Sequence, residues 1–203
     1  LEVALRFLTG DIWCIEFADG GAQPPIPTRR TKRHLRGDCV CLLSGGADSL
    51  VGAIDAVSEG RSPVVVSQIA AGDKSTQRSF AKALGLAGSH LQLSHAIKVP
   101  GVSERSQRAR SIVFLAYGLL AAMQLVERDH GKAKVLLVPE NGFISLNIPL
   151  TPLRRGSLST RTTHPFFICQ LQRIFDACGF PVQIENPYQL KTKGEMFTEC
   201  ANK

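Results

Sequence analysis

The residues best suited to chemistry are the six from Ser44 to Ser49, with the sequence Ser-Gly-Gly-Ala-Asp-Ser. An apolar run, 39–43, precedes them and an amphipathic segment begins near Asp48, which predicts a buried strand, a tight turn and a helix. The two glycines let backbone N–H groups point into the turn with no Cβ in the way. The hydroxyls of Ser44 and Ser49 and the positive end of the helix dipole add to these donors. This combination predicts a cradle for a phosphate or pyrophosphate group.

Two better-known phosphate loops do not fit these residues. A Walker A loop needs a different glycine spacing and a Gly-Lys-Ser/Thr end, and a dinucleotide turn needs Gly-x-Gly-x-x-Gly. As written, Ser44–Ser49 resembles the PP-loop, Ser-Gly-Gly-x-Asp-Ser, of the ATP pyrophosphatases. The resemblance implies an enzyme that cleaves ATP between its α and β phosphates and transfers AMP to a substrate oxygen. The alternative is an ordinary glycine-rich turn between a strand and a helix.

Composition sets the class of protein to expect. With 203 residues, 44% of them hydrophobic, the chain is long enough for a real core, and one main domain is expected. The net charge of +7 favours anionic ligands such as nucleotides or RNA without choosing between them. The sequence has neither an apolar run of membrane-spanning length nor a signal-peptide pattern, so we expect a cytoplasmic protein outside the membrane. Because it begins at Leu1 rather than Met, we expect an excerpt of a longer protein.

The cysteines by themselves predict neither a disulfide framework nor a metal site. None of the six belongs to a Cys-x-x-Cys motif, and Cys39, Cys41 and Cys178 fall at apolar positions of predicted strands and helices. Buried free cysteine behaves as a small hydrophobic residue. We therefore expect reduced thiols, as in a cytoplasmic protein, and no zinc site built from these residues alone.

Beyond the glycine-rich turn, apolar strand patterns alternate with helical ones. The expected strands cover 39–43, 63–70, 91–93, 134–139 and 182–184, and the expected helices cover 50–58, 74–86, 104–129, 166–178 and 193–200. Alternation of this kind, with continuously apolar strands, predicts an α/β fold with a doubly wound parallel sheet. In such sheets ligands lie at the carboxyl ends of the strands, beside the point where the strand order reverses.

The chain divides into three predicted parts. Residues 1–17 alternate apolar and polar positions around a turn, which predicts a β-hairpin, the end of an N-terminal domain that is mostly absent. Residues 18–37 are rich in glycine and proline and predict a linker. Its basic run, 29–36, is either a solvated connector or a contact for phosphates of a nucleotide or nucleic acid. Residues 38–203 form the expected ATP-binding domain, which we expect to be truncated at its C-terminus.

Further stretches are similar to one branch of the PP-loop enzymes, the QueC or 7-cyano-7-deazaguanine synthase family, over residues 38 to 203. They are Ser67-Gln68 with 77–85, Arg110–Ala116 after Val99-Pro100, and Lys191–Met196. The chain departs from the family at Gln77, where the family usually carries Glu, and at Ser111, where it carries Asn. The resemblance implies the adenine nucleotide α-hydrolase-like fold of the PP-loop enzymes.

Two other features bear on which branch of that family the chain resembles. The segment from Pro139 to Pro165 looks more like the QueC-like proteins of bacterial anti-phage operons, the QatC group, than like the housekeeping enzymes. The family also has a C-terminal zinc site with clustered cysteines, and only Cys200 lies near that region here. Either the zinc site lies beyond Lys203 or it has been lost, so we expect no stoichiometric zinc with residues 1–203.

The candidate site residues follow from the loop and from the resemblance. The residues expected to bind the nucleotide are Ser44, Gly45, Gly46, Ala47, Asp48 and Ser49, for pyrophosphate, and Ser67, Gln68 and Ile69, for adenine through backbone groups. Asp48 would hold Mg²⁺ or cap the helix as an acceptor, and the two roles are compatible. Arg110 matches the family's arginine and is the expected phosphate contact. It stands in a run, 103–110, whose alternative is a solvated polar turn.

A long polar loop, 153–165, is expected to fold over the same edge of the sheet as a lid or docking site. Within it, Arg161 is expected to clamp the substrate carboxylate with two parallel hydrogen bonds. The alternative is that Arg161 is a solvated loop residue. Asp48, Arg110 and Arg161 are thus the predicted catalytic residues.

Two functions from different classes remain open at this level. The first is an ATP-dependent ligase that adenylates a carboxylate, by resemblance 7-carboxy-7-deazaguanine, for attack by ammonia or by an amine of a partner protein of a defence operon. The second is a module that holds nucleotide for an anti-phage complex without this chemistry. The intact loop favours the enzyme, whereas Gln77 and the missing cysteine cluster favour the module. Transfer RNA thiolation would need a pair of catalytic cysteines, and nucleic acid is not the expected partner.

Overall fold

The structure, a computed structural model, describes residues 1–21, 23, 35–69, 72–95, 110–126, 133–148 and 161–201. In these residues five parallel strands form one sheet in the order β3-β2-β1-β4-β5. The strands are β1 (Cys39–Leu42), β2 (Pro63–Gln68), β3 (His90–Leu93), β4 (Lys134–Leu137) and β5 (Val182–Glu185). The predicted α/β class with a parallel sheet is therefore confirmed. Its assignment to the PP-loop enzymes stays a prediction.

Helices follow the strands in alternation. They are α1 (Glu2–Thr9), α2 (Ala47–Ser58), α3 (Lys74–Ala83), α4 (Arg110–Met123), α5 (Gly142–Ser145), α6 (Pro165–Ala177) and α7 (Lys193–Glu199), with short 3₁₀ turns at Ala87–Ser89 and Arg161–Thr163. The expected helices agree with this order apart from their ends. The one-turn helix α5 was not predicted, because four residues are too few to show a helical period.

Alternating side chains of the strands supply two apolar layers, as the period of two in a strand requires. One layer packs against α1, α4 and α6, and its largest fully buried side chains include Leu8, Leu115 and Phe167. The opposite layer packs against α2 and α3. A smaller cluster, in which Val51 contacts Met196, joins α7 to α2. The sheet is covered on both faces, as parallel sheets generally are.

The N-terminal β-hairpin prediction was wrong. Residues Glu2–Thr9 form helix α1, and residues 12–17 contain no strand. The buried side chains of α1 include Ala4, Leu5 and Leu8, and of these Ala4 and Leu8 belong to the core that contains α6. Gly10, with φ of 81°, ends the helix in the left-handed region that favours glycine. The alternating pattern was compatible with either structure, and packing against the core selects the helix.

The outer edge of β5 is closed by a side chain. The amide of Gln172, on α6, accepts a hydrogen bond from the Ile184 N–H (2.9 Å) and donates one to the Val182 carbonyl (2.9 Å). The side chain thus satisfies one backbone donor and one backbone acceptor, as a neighbouring strand would.

Several predictions concern residues that lie outside the part of the chain that the structure describes. They concern most of the linker 18–37, including residues 29–34 of its basic run, the ends of the predicted helix 104–129, and residues 153–160 of the polar loop. Within the segments that are described, no helix is long and apolar enough to cross a membrane.

Candidate functional site

The strand order reverses beside β1. From β1 the chain moves outward to β2 and β3, and it then returns to the other side of β1 with β4 and β5. The connections that follow β1 and β4 therefore leave adjacent strands in opposite directions and open a crevice at their carboxyl ends. Ligands of open α/β sheets lie in this crevice. The loop Ser44–Ser49 follows β1, and residues Pro139–Gly142 follow β4, so both predicted features border it.

The loop itself is held by its own hydroxyl groups. The Gly46 N–H donates to the Ser44 Oγ (3.2 Å), the Ser44 hydroxyl donates to the Ser49 Oγ (3.1 Å), and the Ser49 hydroxyl donates to the Gly46 carbonyl (2.8 Å). Gly45 has φ of 98°, a conformation that strongly favours glycine. Ser44 and Gly46 are exposed, whereas Ser49 is buried. The loop is ordered by local contacts and keeps its outer side accessible.

Helix α2 begins directly after this loop without a side-chain cap. Gly46 occupies the N-cap position in an extended conformation, and no side chain accepts from the first turn of α2 in the described structure. The first N–H groups of a helix have no partner within the helix. Ala47, Asp48 and Ser49 thus bring the positive end of a helix dipole to the loop, in which Ser44 and Gly46 are exposed. This arrangement can hold an anion.

Asp48 connects the loop to the end of β4. Its Oδ2 accepts hydrogen bonds from the Asn141 side-chain Nδ2 (2.6 Å) and from the Asn141 backbone N–H (3.2 Å). Its Oδ1 is buried and forms an ion pair with the Lys193 ammonium at 3.1 Å. Asn141 is fixed in turn because its Oδ1 accepts from the Ile144 N–H and caps α5. The buried, charged side chain of Asp48 therefore links the loop after β1 to the residues that follow β4.

The Glu140 carboxyl group lies beside that of Asp48, and each group shifts the pKa of the other. Burial, followed by the hydrogen bond with Asp48 and that residue's charge, raises the pKa of Glu140 to about 8. Burial opposes ionisation of Asp48 as well, but hydrogen bonds from Glu140, Asn141 and Lys193 lower its pKa. The Glu140 backbone is pinned to Asn186, whose Oδ1 accepts from the Glu140 N–H (3.2 Å) and whose Nδ2 donates to the Glu140 carbonyl (2.9 Å). The two pKa shifts have opposite directions, which favours a proton on Glu140 over a proton on Asp48.

This pair makes stability depend on pH, and replacing Glu140 with glutamine should remove the effect. The pKa of Glu140 is raised in the folded protein, so the unfolded chain ionises first as pH rises from 4.5 to about 8. The folded state loses stability across that window. In metal-free buffer, we expect the free energy of unfolding of Glu140→Gln, relative to that of wild type, to be higher at about pH 9 than at about pH 5 by about 1 kcal/mol or more. Chemical denaturation at both pH values measures it.

The control for that measurement is Glu59→Gln, which removes a negative charge from an exposed side chain after α2. A pH-dependent gain of the same size in both variants would contradict a specific interaction between Glu140 and Asp48.

Gln77 joins the loop to the end of β2. This fully buried side chain on α3 donates from Nε2 to the Ser44 carbonyl (3.0 Å) and to the Gln68 carbonyl (3.1 Å). Its Oε1 accepts from the Gln92 Nε2 (3.1 Å), which fixes the orientation of the amide. Gln77 is therefore a structural bridge between the two predicted nucleotide-binding segments.

The predicted adenine-binding residues at the end of β2 are largely engaged within the protein. The Ser67 hydroxyl donates to the Leu43 carbonyl (2.6 Å), so the His90 Nε2, at 2.8 Å, must carry the proton that it shares with Ser67. The Gln68 carbonyl accepts from Gln77, and the Ile69 N–H donates to the Leu93 carbonyl (2.8 Å). These bonds place Ser67–Ile69 beside the loop but occupy several of the backbone groups expected to bind adenine.

The two arginines predicted to be catalytic have different positions. Arg110 is the first residue of α4, and its side chain lies outside the description. Arg161 lies at α1: its Nη1 donates to the Phe7 carbonyl (2.9 Å) and its guanidinium stacks 5.0 Å from the centre of the Phe7 ring. The structure thus brings the loop, Asp48 and the end of β2 together. It gives Arg161 a packing role, and its role in binding the acid stays a prediction.

Four residues of this site were missing from the predicted set: Gln77, Glu140, Asn141 and Lys193. Glu140 and Asn141 follow an apolar strand, and polar residues at a strand's carboxyl end are the signal that could have identified them. Lys193 has a weaker signal, a cation in the first turn of a helix, where the dipole disfavours it. Gln77 is marked only by its departure from the family pattern.

No protein-family model, no curated protein and no solved structure matches the chain at a significant level.

Proposed function

We propose that this protein is an ATP-dependent ligase that adenylates a carboxylate and releases pyrophosphate. The acid is 7-carboxy-7-deazaguanine or a similar compound, and the acceptor is ammonia or an amine of a partner protein in a QueC-like anti-phage system. This identity comes from the sequence resemblance. The ligand chemistry follows from the site described above.

One observation carries the proposal: the uncapped start of α2 follows the Gly45-Gly46 turn after the carboxyl end of β1, beside the point where the strand order reverses. Free N–H groups at a helix start bind phosphate oxygens. The crevice at the strand-order reversal is where nucleotides lie in open α/β sheets. The protein's net charge of +7 further favours a polyanionic ligand.

The residues at this point suit a Mg²⁺ ion that arrives with ATP. Asp48 offers a buried Oδ1 whose partner in the structure is the Lys193 ammonium, and Glu140 offers a second carboxyl group beside Asp48. In the described residues no group of three or more His, Cys, Asp or Glu could hold a metal alone. Mg²⁺ is commonly held by one or two carboxylates together with substrate phosphates. When bound, it neutralises charge on the phosphates, and Asp48 and Glu140 would hold it.

In the proposed reaction an oxygen of the substrate carboxylate attacks the α-phosphorus. The bond from that phosphorus to the oxygen bridging to the β-phosphate breaks, and pyrophosphate leaves with the electron pair. The amine then attacks the acyl carbon, loses a proton, and AMP leaves. The loop Ser44–Ser49 holds the pyrophosphate oxygens, where the charge develops, and Arg110 is proposed as a further phosphate contact.

A pocket next to α5 is the proposed place for the acid. A pocket of about 220 Å³ lies between α5 and the segment Gln189–Thr192, and it is lined by Phe143, Leu146 and Ile148. Two residues of its lining, Gly142 and Thr192, are the chain neighbours of Asn141 and Lys193, which contact Asp48. The largely apolar lining suits the flat ring of a small heterocyclic acid.

The second candidate is a nucleotide-binding module without turnover. The observation that favours it is Gln77, whose amide bridges the loop to β2 where the QueC family carries a glutamate. A neutral bridge holds the loop equally well whether or not ATP is cleaved. Under this alternative the loop binds ATP and no AMP is formed.

The products of ATP distinguish the two candidates. The protein is incubated with ATP, Mg²⁺, 7-carboxy-7-deazaguanine and ammonia, and nucleotides and pyrophosphate are quantified by chromatography. The ligase yields AMP and pyrophosphate in equal amounts, in proportion to the acid consumed. ADP with phosphate would reject the mechanism. Bound ATP without any product would favour the module, and mass spectrometry of partner proteins would reveal an amine acceptor.

A further inference from the structure

Asn141 is a buried residue whose side-chain amide holds two different parts of the site. Its Oδ1 accepts a hydrogen bond from the Ile144 N–H (3.2 Å) and so caps helix α5. Its Nδ2 donates to the Asp48 Oδ2 (2.6 Å), and its backbone N–H donates to the same oxygen (3.2 Å). Because an amide oxygen only accepts and an amide nitrogen only donates, these contacts fix the orientation of the group.

Helix α5 depends on contacts of this kind because it is a single turn. It has four residues, and isolated helices shorter than about 12 residues are marginal in water. At its start, the Gly142 N–H donates to the Lys191 carbonyl (2.7 Å). At its end, the Ser145 hydroxyl donates to the Thr163 carbonyl (2.6 Å). The conformation of α5 is therefore set by the rest of the protein and by whatever binds against it.

The pocket proposed for the acid borders α5. Phe143, on α5, and Leu146, the residue after it, line this pocket. They are 44% and 47% exposed, although both side chains are large and apolar. An aromatic acid that covered them would remove apolar surface from water. Because the helical turn places both side chains at the pocket, binding of such an acid would favour the turn that Asn141 caps.

Asp48 lies at the other end of the Asn141 amide, in the first turn of α2 directly after the Gly45-Gly46 turn. Its side chain is only 10% exposed. If α5 lost its turn and released Asn141, the Asp48 Oδ2 would lose its two hydrogen bonds in a buried place, which is costly for a carboxylate. The formed turn of α5 and the held position of Asp48 therefore favour each other.

We propose that Asn141 is a positioning residue through which an aromatic acid in the α5 pocket and ATP at the loop Ser44–Ser49 bind cooperatively. This inference rests on the proposed function. The acid stabilises α5, and ATP uses Asp48, which the proposed function assigns to its Mg²⁺. By linkage, the acid tightens ATP binding by the same factor by which ATP tightens binding of the acid. Such coupling favours a complex in which an acid is present to accept AMP before ATP is cleaved.

Calorimetry on the intact chain measures this coupling with a nucleotide that is not turned over. The probe is α,β-methylene ATP, in which a carbon replaces the oxygen between the α and β phosphates. It is titrated, with Mg²⁺, into wild type with and without saturating 7-carboxy-7-deazaguanine. We expect the acid to tighten its binding at least about fivefold.

Asn141→Ser and Asn141→Thr separate the cap from the link to Asp48. Either hydroxyl can cap α5, but neither side chain has the amide nitrogen that reaches Asp48. We expect the coupling factor to fall to about two or less in both variants, since only the backbone N–H then joins position 141 to Asp48. The second variant provides the answer if the first does not fold.

The matched control is Asn186→Ser, which makes the same change in an amide that is bonded to the Glu140 backbone and not to Asp48. A merely structural Asn141 would lower the melting temperature and leave the coupling factor as in this control, and that result would overturn the inference. Independent binding of the two probes to a wild-type chain that forms AMP and pyrophosphate would overturn it as well, and the ligase would stand. A wild-type chain that binds neither probe would overturn both.

Discussion

Gly46→Val is expected to abolish nucleotide binding in a protein that still folds. Gly46 is extended, a conformation that valine adopts readily, and the nearest atom to an added Cβ is the Ser44 Oγ at 3.5 Å. The branched side chain would instead occupy the exposed side of the loop, where the phosphates are proposed to lie. We expect ATP affinity to fall at least about a hundredfold, or ~2.8 kcal/mol. Calorimetry with ATP and Mg²⁺ measures the loss, and thermal melting reports the fold.

The control for this change is Gly88→Val. Gly88 also has open space around its Cβ position and no positive φ, but it precedes β3, at the amino-terminal edge of the sheet. Gly45 is a less informative site for substitution, because its φ of 98° would strain any side chain whether or not a ligand binds. A folded Gly46→Val protein with wild-type ATP affinity would refute the phosphate-binding loop.

Gln77→Glu should destabilise the protein strongly at alkaline pH and much less at acidic pH. The introduced carboxylate would face the carbonyls of Ser44 and Gln68, which now lie 3.0 and 3.1 Å from a donor, in a fully buried place. Burial raises the pKa of such a carboxyl, and its protonated form still provides one donor. We expect a loss on the order of 3 kcal/mol at about pH 8. Because the folded state holds the proton more tightly, the loss should shrink towards about pH 5.

Chemical denaturation of Gln77→Glu and of Gln183→Glu at both pH values gives the comparison. Gln183 is exposed on β5, so its variant has the same added charge without burial. The ATP affinity of Gln77→Glu should fall at alkaline pH together with its stability, since the loop and the end of β2 lose their common donor. Equal stability of the two variants at about pH 8 would contradict this bridge, and it would mean that glutamate, as in the QueC family, is tolerated here.

The order of elements could be predicted because its signals are local. The apolar run 39–43, the Gly45-Gly46 turn and the segment after it specify a strand, a loop and a helix without reference to the rest of the chain. Residues 1–9 show the limit of the same logic. Their apolar side chains satisfy an alternating pattern and a helical face at once, and a contact with α6, more than 150 residues away, decides between them.

The site could be predicted only on one of its two sides. Ser44–Ser49 is a continuous motif, whereas Asn141 reaches Asp48 across 93 residues of chain. That contact depends on β4 lying next to β1, and the strand order is a property of the whole sheet rather than of any segment. Glu140 and Lys193 were overlooked for the same reason. Both residues matter through their contact with Asp48, and a pattern along the sequence does not identify that contact.

The amide of Gln172 at the edge of β5 has a consequence for how this protein meets other chains. Unpaired strand edges are templates for aggregation and for domain swapping. Here an incoming strand would first have to displace two hydrogen bonds of 2.9 Å, and the amide that makes them is carried on a helix packed into the core. Association by strand addition is therefore discouraged at β5. Replacing Gln172 with leucine should make the protein more prone to aggregate, although the crevice on which ATP binding is proposed to depend would be untouched.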